Sequence, residues 1–429
     1  MAYSRQELEK EILAQYQEDD GNIPWIIGFS GGKDSTMLLQ LVWYALKEEL
    51  QGLRQRPIYV VCNNTLVENP KIIQYTDRVL QLIEKAAMEQ GMPIYVKKTT
   101  PRLEDTFWVN LLGKGYPAPN NTFRWCTERL KINPTSEFIK TTISEIGHAI
   151  ILLGTRKDES TARAQSIEKN KSQVENSRLR KHPLPNAFVY APITEVITEE
   201  VWQYLLQVPS PWGASNRNLV TIYNNATGGD CPLITDISTP SCGNSRFGCW
   251  VCTVVKKDKS MQALIDNGEE WMEPMVEFRD MLADNRNDHT WREPKRRNDQ
   301  EGVGPYTHER RAFMLEKLLQ AQKEIREQEP EMMLINYQEL VAIQVTWHRD
   351  SNFKYSVANI YNKVYGTDLQ EDDFALQKNI ESEILNEVCD EKDYGLINEL
   401  LELQKSKFIL VNNYRMTDIE THLERFIKK

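Results

Sequence analysis

Residues 24–40 read "PWIIGFSGGKDSTMLLQ", and the fold turns on this stretch. Trp25, Ile26 and Ile27 form a continuous apolar run, as in a strand covered on both faces of a parallel sheet. From Ser35 to Leu50 the apolar residues Met37, Leu38, Leu41, Val42 and Leu46 recur near the helical period. Between strand and helix lies Ser30-Gly31-Gly32-Lys33-Asp34-Ser35. A glycine pair lets the backbone turn tightly and approach a ligand closely. The N–H groups at a helix start favour an anion. Strand, glycine-lysine turn and helix together predict a phosphate loop. It is not a Walker loop, because three residues, not four, separate Gly28 from Gly32, and Asp34 follows Lys33.

The same alternation continues outward. Strands are expected at Trp25–Phe29, Ile58–Cys62, Ile94–Lys98, Ala149–Leu153 and Phe188–Ala191, with helices between them such as Pro70–Glu89 and Thr135–Ile146. This order predicts an α/β fold with a doubly wound parallel sheet. Ligands in such sheets bind beyond the carboxyl ends of the strands. The loop at Ser30 and the segment Cys62-Asn63-Asn64-Thr65 both fall at such ends. From about residue 211 the texture changes to Gly, Asn, Ser and Pro with four cysteines, and after Lys256 it becomes mostly helical, with a polar, basic interruption at 286–311. Three regions are therefore expected: a sheet domain at 1–210, a four-cysteine insertion at 211–260, and a helical region at 261–429.

The 429 residues carry a formal net charge of −10, which argues against broad, non-specific nucleic-acid binding but leaves room for a local basic groove. One candidate is 163–186, "RAQSIEKNKSQVENSRLRKHPLPN", expected as a mobile loop whose Lys169, Lys171, Arg178, Arg180 and Lys181 contact backbone phosphates. A second is "WREPKRRN" (291–298) with "HERR" (308–311), where Trp291 either stacks on a base or anchors the loop. The late helices, Ala312–Gln328 and Thr417–Lys429, read as packing or interaction helices. No run is long and apolar enough to span a membrane. The charged N-terminal stretch does not resemble a secretory signal, so a cytoplasmic location is expected.

Disulfides are not expected among seven cysteines in that compartment; metal or thiol chemistry is. Cys231, Cys242, Cys249 and Cys252 form C-x10-C-x6-C-x2-C in a glycine-rich stretch. Four thiolates suit zinc or an iron–sulfur cluster, and the single C-x2-C knuckle favours [4Fe–4S]. Cys126 stands apart beside Arg124, Arg129 and Lys131, cations that would stabilise a thiolate. It could carry a persulfide, bind the cluster or pack in the core. Cys62 and Cys389 read as buried small hydrophobes.

The hexapeptide at 30–35 resembles the pyrophosphate loop of the N-type ATP pyrophosphatases, the PP-loop superfamily with a HUP-like sheet. These enzymes split ATP to AMP and pyrophosphate. The resemblance implies that Ser30, Gly31, Gly32 and Ser35 hold the departing pyrophosphate, that Lys33 neutralises it, and that Asp34 orients magnesium or the loop. "LLGTRKDESTARA" (152–164) matches a Gly-x-Arg-x-x-Glu-Ser-x-x-Arg pattern of the phosphoadenylylsulfate (PAPS) reductase family through Gly154, Arg156, Glu159, Ser160 and Arg163. Arg156 and Arg163 are then expected as oxyanion forks. "YAPITEVITEEVWQYL" (190–205) resembles a further segment of that family.

In their order, these motifs with "NNTLVENP", "GYPAPNNTFRWCTERLKI" and the cysteine spacing resemble the DndC family of bacterial DNA phosphorothioation systems over residues 10 to 260. The resemblance implies ATP-dependent adenylylation of a non-bridging DNA backbone oxygen, then displacement of AMP by sulfur. It implies ATP, Mg2+ and an iron–sulfur cluster as cofactors. DNA, a cysteine desulfurase and other proteins of the system, an ATPase among them, would be partners. Thr65 falls near the expected nucleotide site. One departure is Asn64, where the resemblance leads one to expect an Asp before the Thr; an amide there weakens a metal-binding acid at that position, leaves Glu68 as the substitute candidate and fits a diverged branch, such as one modifying a single strand. The competing functions are a PAPS or adenylylsulfate reductase, a tRNA thiolase, and a non-enzymatic ATP-binding scaffold of a defence complex. A reductase would need a nucleophilic cysteine on a C-terminal tail, and none follows Cys389.

Overall fold

The computed structural model describes residues 4–18, 23–47, 55–169, 178–227, 248–297, 300–350 and 354–369. The chain divides into two compact units, one of 1–107 with 118–286 and the other of 108–117 with 287–429. This division follows compactness, and it groups the helices just after the cysteine segment with the sheet. The second expected late helix, Thr417–Lys429, lies outside the described residues.

The first unit opens with helix α1 (Arg5–Gln17), strand β1 (Trp25–Gly28) and helix α2 (Lys33–Lys47). Strand β2 (Ile58–Asn63), helix α3 (Pro70–Glu89) and strand β3 (Ile94–Thr99) follow. A one-turn helix, α4 (Trp125–Thr127), passes through a π-helical turn at Glu128–Ile132 into α5 (Asn133–Ile146). Then come β4 (Ala149–Leu152), α6 (Thr161–Lys169), a short β5 (Arg180–Lys181), β6 (Ala187–Tyr190), α7 (Thr198–Gln207), α8 (Asn216–Thr227), α9 (Lys259–Asp266) and α10 (Glu273–Asp284).

The six strands lie in the order β3-β2-β1-β4-β6-β5. All pairs are parallel except β5 with β6. Ile26 of β1 pairs with Tyr59 on one side and Ile151 on the other. The chain builds outward from β1 through β2 to β3, then returns to place β4 on the opposite flank. The crevice between β1 and β4 is thus a topological switch point, where such sheets bind ligands. Helices cover both faces: Leu38, Leu41, Val42, Val79 and Ile83 pack on one, and Phe138, Ile139 and Ile143 of α5 on the other. Burial on both faces is why the strands are continuously apolar rather than alternating.

The described part of the basic segment expected as a mobile loop is regular structure. Its start is α6, and Arg180 and Lys181 pair with Val189 and Phe188 as an edge strand. Charged side chains are common on sheet edges, where they discourage further pairing. Lys171 lies outside the described residues.

The second unit contains a π-helical turn at Val109–Gly113, α11 (His308–Ile325), α12 (Tyr337–Arg349) and α13 (Val357–Tyr365). Trp108 donates its indole N–H to the Leu334 carbonyl (2.6 Å) and Trp347 to that of Leu112 (2.8 Å). Part of the basic cluster here is structural, while Lys295, Arg296 and Arg297 are exposed. Arg311 is buried and donates to the Tyr306 and Gly113 carbonyls and to Asp350. Trp291 is buried edge-on to Tyr306 and Phe313, so it anchors the loop and offers no face to a base. Among the described residues no helix is long and apolar enough to cross a membrane.

Candidate functional site

The phosphate loop leaves β1 at the switch point. The Phe29 N–H still bonds the Val61 carbonyl (2.9 Å), so the loop starts from a fixed edge of the sheet. Gly31 has φ +74°, and a Cβ there would stand 2.7 Å from Thr76 Oγ1 of α3. Both facts demand glycine. Ser35 donates its hydroxyl to the Gly32 carbonyl (3.0 Å), and the Ser30 hydroxyl accepts from the Gly32 N–H (3.4 Å). The Thr36 N–H bonds the Gly32 carbonyl (3.0 Å) and begins α2, which presents its positive end to the crevice. Lys33 is buried, with Nζ 3.2 Å from Asp34 Oδ2.

The motif after β4 completes the other wall. A Cβ on Gly154 would lie 3.0 Å from the Asp34 carbonyl and 3.2 Å from the Ser35 nitrogen, so glycine here lets two loop backbones touch. Arg156 is wholly buried. Its Nε bonds Asp34 Oδ1 (2.7 Å), Nη1 the Val196 carbonyl (3.0 Å), and Nη2 Thr198 Oγ1 (3.1 Å). Sequence reasoning made it an oxyanion fork; the structure makes it an internal clamp that orients Asp34. Each Asp34 oxygen faces a cation, which fixes the carboxylate against the loop.

Asp158, missed in the sequence although it sits inside the motif, accepts from the Thr198 N–H (2.9 Å) and hydroxyl (2.7 Å). Burial alone would raise its pKa, but these bonds and Arg156 outweigh it and hold the carboxyl below its ordinary value. Glu159 accepts from the Arg156 N–H (2.7 Å) and stands 3.5 Å from Arg163, while Ser160 accepts from the Arg163 N–H (3.2 Å). Arg163 is half-exposed, so of the two arginines it is the one able to meet a ligand.

A second site lies beyond β2. A cavity of about 220 Å³ is lined by Cys126, Cys249 and Cys252, with Phe107, Leu130 and Val251 as apolar wall and Arg124, Lys131 and Lys257 as cations. Cys126, which stood apart in the sequence, is therefore placed with the C-x2-C pair. The one-turn helix and π-turn put Cys126 and Lys131 on this cavity, a common functional use of π-helical irregularity. Cys231 and Cys242 lie outside the described residues.

The knuckle is fastened on two sides. Trp250 N–H bonds the Val67 carbonyl (3.0 Å) and Asn69 N–H the Gly248 carbonyl (3.2 Å), while Arg279 of α10 donates to the Cys252 (3.0 Å) and Lys256 (3.0 Å) carbonyls. Thr65, expected at the nucleotide, is instead buried with Oγ1 3.4 Å from Cys249 Sγ. Asn64 accepts from the Leu66 N–H (2.9 Å) in an Asx turn that supports the left-handed Leu66 (φ +65°). Asn63 Nδ2 bonds Thr135 (2.9 Å), tying β2 to α5.

Burial pushes the Cys249 thiol up to about 11, with Lys131 and Thr65 opposing. It also raises Cys126, more than Arg124 lowers it; Arg129 is paired with Asp105. The thiolate expected at Cys126 from its neighbours is thus corrected by desolvation. Cys62, pushed up to about 12, is an inert buried thiol. Burial opposes the Lys131 ammonium, but Cys249, Glu68, Cys126 and Cys252 outweigh it and raise its pKa. Among the described residues no group of three His, Cys, Asp or Glu side chains is set to hold a metal ion. Three thiols line the cavity, of the ligand type an iron–sulfur cluster takes but one fewer than its usual four.

The basic segment gives Arg178 paired with Glu18 (2.9 Å), and Lys169 on α6.

The chain is 28% identical over 190 residues to an uncharacterized protein of Methanocaldococcus jannaschii, an alignment covering 44% of this chain and 32% of that one. The match thus spans about a third of the relative's length. A PAPS reductase from Candida auris matches 49% of this chain and 91% of its own at 13% identity, TM-score 0.29. A U34-tRNA thiolase from Methanococcus maripaludis, solved with its [4Fe-4S] cluster, matches 53% and 75% at 18% identity, TM-score 0.27. The phosphoadenosine phosphosulfate reductase domain model matches residues 24–255, a span that runs from β1 through both loops of the switch point and the cysteine knuckle, and the chain belongs to that family.

Proposed function

We propose that the protein is an AMP-forming, ATP-dependent sulfurtransferase that replaces a non-bridging oxygen of the DNA backbone with sulfur. One observation carries the reading: a glycine-lysine loop at a helix start and a thiol-lined cavity both stand beyond strands of one sheet, the first after β1 and the second against the segment after β2. The loop amides and Lys33 would hold the pyrophosphate as it leaves and stabilise its developing charge. Asp34, fixed by Arg156, keeps Lys33 and the loop in place. Arg163 would meet an oxyanion of nucleotide or substrate. Adenylylation turns a poor oxygen leaving group into AMP; the outer sulfur of a persulfide would displace it, and a second thiol would then cleave the S–S bond, leaving the phosphorothioate and a disulfide that an external thiol reduces. Cys126, Cys249 and Cys252 would hold an iron–sulfur cluster that keeps or relays sulfur, or Cys126 would itself carry the persulfide. A cysteine desulfurase is the proposed donor, and an ATPase of the same system a further partner.

The test is mass spectrometry of nuclease-digested DNA from cells carrying this gene with its neighbours, against cells with Lys33→Ala. Phosphorothioate dinucleotides that disappear with the lysine are the expected result. Their absence from both strains overturns the DNA substrate and directs attention to tRNA nucleosides. In purified protein Lys33→Ala should abolish pyrophosphate release while the fold survives; normal turnover would refute the loop's role.

A further inference from the structure

One side chain at the phosphate loop comes from a distant element. Tyr223 of α8 accepts through its hydroxyl from the Lys33 backbone N–H (3.4 Å). A Cβ on Gly32 would stand 3.3 Å from that hydroxyl, so loop and tyrosine are in contact. The Lys33 ammonium lies 5.6 Å from the centre of the Tyr223 ring. Trp202 of α7, buried, meets the ring edge-on at 4.9 Å and fixes its direction. The loop's own hydroxyls face inward: Ser35 donates to the Gly32 carbonyl and Ser30 accepts from the Gly32 N–H.

We propose that Tyr223 is a pyrophosphate-binding residue of this site, its hydroxyl aimed by Trp202 onto the Gly32–Lys33 corner of the loop. A phenol both accepts and donates. Its oxygen stands at a loop amide, and a diphosphate seated there would compete for its proton. The ring beside Lys33 adds an attraction for the ammonium that keeps it at the site. This assignment rests on reading the loop as a pyrophosphate site. It also gives the Glu200-Val201-Trp202 segment a task, that of holding Tyr223 against the loop.

The experiment is calorimetric titration of the full chain with inorganic pyrophosphate and, separately, with AMP, for wild type and Tyr223→Phe. The variant keeps the ring and its contact with Trp202. A hydrogen bond to a charged acceptor is worth enough that pyrophosphate binding should weaken about tenfold while AMP binding is unchanged. Equal weakening of both ligands would show a merely structural role and overturn the assignment. Unchanged or tighter pyrophosphate binding by the variant would overturn it too, and leave the loop's own role intact. A wild type that binds no pyrophosphate would remove the loop reading and this assignment together.

Discussion

Asp34 and Arg156 show how much of the site depends on single charges in fixed positions. The arginine is wholly buried, and its partners are a carboxylate at the loop, Asp158, a carbonyl and a hydroxyl. Removing one member of a buried ionic set leaves the others unpaired, which typically costs about 3–5 kcal/mol. Arg156→Met should therefore lower stability by roughly that amount in urea denaturation, and Arg156→Lys should restore only part, because an ammonium cannot reproduce the fork. An Arg156→Met protein as stable as wild type would sink the clamp.

The cavity thiols make a prediction about pH. The folded Cys249 value, about 11, lies above the ordinary thiol value of 9.0. Its protonated state therefore favours the fold fully below pH 9, and that contribution is lost as pH rises through about 11. In metal-free protein, alkylation of Cys249 should be slow at pH 8 and climb about tenfold per pH unit through pH 10. A plateau near pH 8 would mean a thiolate already formed.

At the scale of elements, the junctions matter more than the strands. The strand at Trp25–Gly28 and the helix at Lys33–Lys47 follow from a buried apolar run and a periodic one, and both were legible. The contact between the β4 loop and the phosphate loop was not, since Gly154 opposite the Asp34 backbone is visible only once the strands are side by side. Gly154→Ala places a methyl against backbone that has little room to yield. It should cost about 1–3 kcal/mol and weaken pyrophosphate binding. Wild-type affinity in Gly154→Ala would show that the two loops need not touch. Asn69 caps α3 through Lys71 N–H (3.0 Å) while its own N–H holds Gly248. Asn69→Ala should lower thermal stability by about 1 kcal/mol and loosen the knuckle, read as faster alkylation of Cys249. An unchanged alkylation rate would separate helix from knuckle.

At the scale of the whole molecule, the six-stranded sheet unit contains everything the proposed chemistry uses among the described residues. The helical unit directs its buried arginine and tryptophans to its own carbonyls. The full chain prepared without oxygen should contain iron and acid-labile sulfide, and Cys249→Ala should lose both. Stoichiometric zinc with no iron would replace the cluster by a structural metal.

The order of strands and helices and the loop at 30–35 were set by local rules, apolar period and turn chemistry, while the motif at 154–163 was read from its resemblance to a family pattern. These rules act over a few residues, so one chain suffices to read them. The partners of Arg156, the meeting of Cys126 with Cys249 and Cys252, the placement of Thr65 at a thiol and of Tyr223 at the phosphate loop join residues far apart in the chain. Such pairings depend on sheet order and on where helices return, and burial then overrode what neighbours in sequence promised: it raised the Cys126 thiol that nearby cations would have lowered, and turned an arginine suited to a ligand into one that serves the fold.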